Sequence, residues 1–157
     1  MLSGQELEKG MSVLKIIWTA LAISLVMYVF AVPVMLGEPS VVFPADAYAN
    51  LRLVMYVGAF ATLVASWYMR RFILARKTVA TPNKSRQHPA LQRYTTAMIV
   101  ALGMSEAIGL YGLVLYLLGS NQTDLYSLTG LSAAAMTLYF PRKDEVIQLA
   151  EKFDRRI

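Results

Sequence analysis

The chain has 157 residues, 57% of them hydrophobic and only 16% charged, with a formal net charge of +5. A soluble domain carries nearer a quarter charged residues, so the composition argues against a water-soluble globule. The absence of cysteine excludes disulfides, thiolate catalysis and Cys-ligated metals, and the single histidine, His88, argues against a His-based metal site.

The few charges leave long gaps. Ile16 to Leu36 has none, Leu53 to Met69 has none, Tyr94 to Asn121 has only Glu106, and Leu125 to Phe140 has none. Crossing a hydrocarbon core of roughly 30 Å takes about 17–25 helical residues. The gaps therefore predict an all-α integral membrane protein, a single membrane domain over 1–157. Four transmembrane helices in a bundle are expected at about 14–36, 51–74, 92–118 and 124–140. The first apolar run is too long for the core of a removable signal peptide.

The connections set the orientation. Arg70, Arg71, Arg76, Lys77, Lys84, Arg86 and Arg93 lie between the second and third spans with no acid among them. The Gly37–Asn50 and Gly119–Asp124 connections hold no base. Lys and Arg mark the cytoplasmic side, which predicts a multi-pass protein of the cytoplasmic membrane with both termini inside. The positive charge thus reports topology, and no nucleic-acid partner is expected. Pro33 is expected to kink the first span, Pro89 to open the third, and Gly119-Ser120-Asn121 to turn tightly into the fourth. Tyr28, Tyr48, Trp67, Tyr68, Tyr94, Tyr126 and Tyr139 fall near span ends, as an interfacial aromatic belt would.

The tail 141–157 is polar but patterned. Val146, Leu149, Ala150, Phe153 and Ile157 share one helical face, with acids at the start and bases at the end, as the helix dipole favours. An amphipathic cytoplasmic helix is expected. It would lie on anionic lipid headgroups or dock on a partner protein.

Glu106 is the exception in the apolar spans. An ionised carboxylate at the bilayer centre costs on the order of 2.5–3.5 kcal/mol on the insertion scale. Protonation, a hydrogen bond or a bound cation lowers that cost, and a largely neutral Glu106 is expected unless a cation approaches it. Gly103 and Gly109 lie three residues to either side, and Gly58, Ala61 and Ala65 form a strip of small residues on the second span. Gly130 and Ala134 do the same on the fourth. Small residues let helices approach closely, so a tight bundle around Glu106 is expected. The competing reading ties Glu106 to a hydroxyl, with Ser105, Thr62 and Thr137 as candidates.

The run "MSEAIGLYGLVLYLL" resembles the second helix of subunit c, the proteolipid of rotary ATP synthases, and "RQHP", Arg86 to Pro89, is similar to that family's polar loop. The resemblance covers about residues 84–118. It implies that Glu106 carries a proton and that Arg86, Gln87 and Pro89 dock a partner. Ala107 after Glu106 departs from the sodium-carrying pattern. The expected function is a small membrane subunit carrying protons through a mid-membrane carboxylate. The alternative is a non-catalytic accessory or scaffold subunit of a larger membrane complex. Expected partners are other membrane subunits or copies of the chain itself. No cofactor is expected, and no Ser-His-Asp set or phosphate loop points to an enzyme.

Overall fold

The computed structural model describes residues 3–36, 43–75 and 88–154. These form five helices: α1 (Gly4–Leu36), α2 (Ala45–Ala75), α3 (Pro89–Gly119), α4 (Gln122–Leu138) and α5 (Lys143–Asp154). No strand occurs among the described residues. Helices α1, α2 and α3 are each long and apolar enough to cross a membrane, the pattern of a multi-pass membrane protein. Large apolar side chains such as Ile16, Phe30, Leu53 and Phe60 point outward from them. In water such surfaces would drive aggregation. In lipid they are solvated.

Two of the long helices start earlier than the charge gaps predict. At α1, the Glu6 N–H donates to Ser3 Oγ at 3.2 Å and the Ser3 N–H to Glu6 Oε2 at 3.4 Å. This reciprocal capping box satisfies end groups that a helix otherwise leaves open, so the polar segment before residue 14 is helical too. At α2, the Tyr48 N–H donates to the Pro44 carbonyl at 2.9 Å, and Asp46 sits in the first turn, where an acid suits the dipole. Pro33 is inside α1, which continues past it to Leu36.

His88 caps α3, its Nδ1 accepting the Ala90 N–H at 3.3 Å, and Pro89 takes the first helical position, as expected. The turn into α4 falls where Gly119-Ser120-Asn121 predicts it. Ser120 adopts the left-handed conformation at φ 52° and donates its N–H to Tyr116 O at 2.8 Å. Asn121 caps α4 by accepting the Thr123 N–H at 3.0 Å.

Helix α3 is the centre of the fold. It packs on α1, α2, α4 and α5, whereas the described residues of α1 and α2 do not meet each other. Its inner face turns Ser105, Ile108, Gly109, Gly112 and Leu115 into the core. Residues two apart on a helix point about 200° apart, and accordingly Ile99, Gly103 and Leu110 are exposed. They form a stripe left open by the described residues, and half-buried Glu106 lies at its edge.

Helix α5 docks on its own chain. Val146 is fully buried in a cluster with Met11 and Leu14 of α1, Leu91 and Tyr94 of α3, and Tyr139, and Leu149 packs against it. Arg70 near the end of α2 pairs with Glu145, and the Arg142 N–H donates to Tyr94 Oη at 3.1 Å. The side chains of Phe153 and Ile157, expected on the same face, lie outside the described residues.

Candidate functional site

Glu106 is half-buried on α3 and its partners come from α1. Ser24 Oγ lies 2.7 Å from Glu106 Oε1, and the Tyr28 hydroxyl donates to the same oxygen at 3.2 Å. Ser24 and Tyr28 are four residues apart and so share one face of α1. No hydrogen bond joins a described residue to Oε2. Of the three hydroxyls expected beside Glu106, Ser105, Thr62 and Thr137, two are used elsewhere: Ser105 donates to Ala101 O at 2.9 Å and Thr137 to Ala134 O at 2.7 Å. Both are local bonds to the preceding helical turn, which a short hydroxyl reaches more easily than a neighbouring helix.

The small residues near the site divide into two groups. At Gly109, Leu25 of α1 sits 2.6 Å from where a Cβ would be, with Ser132 Oγ of α4 at 3.5 Å. Ser132 also donates to the Ser105 carbonyl at 2.6 Å, so α3 and α4 are close here. Gly103 is exposed and a Cβ there would meet nothing within 4 Å. Gly58 is loosely packed, 3.9 Å from the Tyr111 ring. Ala61 is exposed, as are Gly130 and Ala134. The strips expected on α2 and α4 therefore face away from Glu106, because Ala59 and Ser66 are the buried residues of α2 and Leu128, Ser132 and Ala135 are among those of α4. Pro89 opens α3, far along the helix from Glu106, and Arg86 and Gln87 lie outside the described residues.

A second carboxylate is buried completely. Asp124, in the first turn of α4, has no exposed surface. Its Oδ2 accepts the Tyr48 hydroxyl at 2.8 Å, and its Oδ1 accepts the Tyr56 hydroxyl at 2.8 Å and the Arg52 Nε–H at 2.9 Å. Arg52 also reaches Oδ1 through its terminal nitrogen at 2.9 Å. Tyr48, Arg52 and Tyr56 follow at four-residue intervals along one face of α2. The close approach is made possible by Gly112 of α3. A Cβ there would lie 2.9 Å from Leu128 Cβ and 3.2–3.3 Å from the carbonyls of Leu125 and Asp124.

Several belt aromatics thus act as hydrogen-bonding groups. Tyr28 holds Glu106, Tyr48 holds Asp124, Tyr94 receives a backbone N–H, and the Tyr139 hydroxyl lies 3.0 Å from Ser66 Oγ. Tyr68 and Tyr126 are exposed, as a belt requires. Among the described residues no cluster of acids and histidines has the makings of a metal site. No family model, curated protein or solved structure matches the chain.

Proposed function

We propose that the chain is a small integral membrane subunit in which Glu106 holds and releases a proton. Helix α4, about 26 Å long at 1.5 Å per residue, is taken as a short fourth crossing beside the three longer ones. The basic α2–α3 connection and both termini are taken as cytoplasmic. The observation that carries the reading is the position of Glu106. One oxygen is held by two hydroxyls, no cation among the described residues is paired with it, and it lies at the edge of a stripe of α3 that those residues leave open.

Proton counting supports a neutral Glu106. Ser24 Oγ lies 2.7 Å from both Leu21 O and Glu106 Oε1. A hydroxyl has a single proton to give. If that proton goes to Leu21, the one between Ser24 and Glu106 belongs to the carboxyl, and Ser24 accepts it. Tyr28, Glu106, Ser24 and Leu21 then form a continuous donor chain. The resemblance to subunit c places the acid on the second helix of a hairpin, here α2–α3. Because α1 of the same chain supplies both hydroxyl partners, a site complete within one chain is favoured over one shared around a ring.

The scaffold reading draws on the same hydroxyls, since a carboxyl held in this way also fits a purely structural role. A hydrophobic carbodiimide, which reacts with protonated carboxyls in apolar surroundings, separates the two when combined with proton flux into proteoliposomes. The carrier reading expects labelling of Glu106 near neutral pH that declines as pH rises and the proton leaves. It also expects Glu106→Gln to fold and to abolish the flux. Absent labelling, or full flux in Glu106→Gln, refutes it. Normal assembly of Glu106→Gln together with failure of Glu106→Leu, with flux unchanged in the Gln variant, establishes the scaffold role.

A further inference from the structure

A cleft of about 570 Å³ opens where α2 ends, α3 begins and α5 crosses beneath them. Among the described residues, Arg70, Arg71, Arg93 and Lys152 line it beside one acid, Glu145. The described wall is therefore basic. Glu145 is committed to Arg70, whose buried Nε has no hydrogen-bond partner. The Arg71 guanidinium lies 4.1 Å from the Trp67 ring centroid, a cation–π contact that holds the group through its face and leaves its N–H edge for a ligand.

The wall is also partly apolar, through Leu74 and Leu149. Its level is informative. Arg70 and Arg71 directly follow the charge-free run of α2, and Arg93 lies in the opening turns of α3. The cleft therefore sits where hydrocarbon gives way to headgroups if these helices cross a membrane, and Tyr68 and Phe72 nearby are exposed. Basic pockets at this level suit phosphate-bearing headgroups.

We infer that the cleft binds the headgroup phosphate of an anionic phospholipid, with Arg71, Arg93 and Lys152 as its cationic contacts and Leu74 and Leu149 against the first part of the acyl chains. A free phosphate would satisfy the cations but not the apolar wall, which selects the lipid. This inference needs α2 and α3 to cross the membrane and is independent of any role for Glu106.

The test uses the full chain in a neutral detergent, titrated with phosphatidylglycerol and followed by native mass spectrometry. Saturable binding is expected, at least about tenfold tighter than for phosphatidylcholine. Each base near a headgroup contributes roughly a factor of five, so Arg71→Gln, Arg93→Gln and Lys152→Gln together should weaken binding on the order of 100-fold. Removing three charges elsewhere, Lys9→Gln, Lys15→Gln and Lys143→Gln, should leave it within a few-fold. Helix content and thermal midpoint in phosphatidylcholine check that the triple variant is folded. If it is not, Lys152→Gln alone, on the exposed side of α5, should still give about fivefold. No preference over phosphatidylcholine, an equal loss in the control variant, or displacement of the lipid by equimolar inorganic phosphate would each overturn the inference.

Discussion

Asp124 and Glu106 are two carboxyls on adjacent helices in opposite situations. Asp124 is completely buried, yet an arginine and two tyrosines surround it, so both oxygens are occupied and its charge is balanced. Glu106 is only half-buried, meets two hydroxyls through one oxygen, and has no cation among the described residues. Burial alone does not decide how firmly a carboxyl is held. The partners decide it. Four converging donors, two of them on the Arg52 guanidinium, fix Asp124 in place, whereas a hydroxyl can meet a carboxyl as donor or as acceptor. Asp124 accordingly ties α4 to α2, and Glu106 is the carboxyl on which the proposed proton exchange rests.

The contrast predicts where stability resides, and the largest effect is expected at Asp124. Asp124→Ala strands Arg52 and leaves two tyrosine hydroxyls without acceptors. Breaking a buried pair from one side costs about 3–5 kcal/mol. Here the Arg52 side chain is 47% exposed and water relieves part of the penalty, so a loss of about 2–3 kcal/mol is expected. Thermal unfolding in detergent measures it. A loss no larger than that of Glu106→Gln would abolish the distinction between the two carboxyls.

Next comes the pair of glycines that flank the two environments. Gly112→Ala pushes a methyl group into Leu128 and two α4 carbonyls, and overpacking of this kind costs typically about 1–3 kcal/mol. It should also loosen the Asp124 cluster by moving the start of α4. Gly103→Ala meets nothing in this chain and gains helix propensity of up to about 1 kcal/mol. The isolated protein should therefore be unchanged or more stable. Equal destabilisation by both substitutions would show that α3 is covered on its open stripe.

Smaller still are the tyrosines around Asp124. Tyr48→Phe and Tyr56→Phe each remove one hydroxyl donor while keeping the ring, with an expected loss of about 1 kcal/mol apiece. In a double-mutant cycle with Asp124→Asn, each should couple to the acid. Additive losses would mean that the hydroxyls do not act through Asp124.

How much of this was legible in the sequence follows the range of the interactions. The long runs with no charge, or with Glu106 alone, disclosed α1, α2 and α3 because a membrane helix is a local property of about twenty residues. The N-terminal extension of α1 was encoded by Ser3 and Glu6, a short capping signal that hydropathy does not weigh. The Asp124 cluster was not legible. Its partners lie 68–76 positions away, and Asp124 reads as an ordinary residue of a connection. A trace was present all the same: Tyr48, Arg52 and Tyr56 recur every fourth residue, and so do Ser24 and Tyr28, placing polar groups on one face of otherwise apolar helices. Such a polar face in a membrane span calls for a partner, and each of these two has a carboxyl opposite it.

A small effect on stability is expected where the functional effect is expected to be largest. Glu106→Gln preserves the shape of the neutral acid. Ser24 and Tyr28 meet the same oxygen, so the amide serves both only through its carbonyl oxygen, and Ser24 then turns its single proton from Leu21 to the amide. One neutral hydrogen bond is given up, and the thermal midpoint should correspond to a loss of about 0.5–1 kcal/mol. An anionic Glu106 would behave differently. Ser24 and Tyr28 would then both donate to the carboxylate, and the amide would replace two charge-assisted hydrogen bonds, each about twice as strong as a neutral one, with a loss of about 2–3 kcal/mol. Infrared difference spectra of wild type against Glu106→Gln provide the independent readout. The carbonyl stretch of a protonated carboxyl, absent in the variant, should accompany the small loss at neutral pH. A carboxylate band in its place, together with the larger loss, would put a fixed charge at Glu106 and make it a second Asp124.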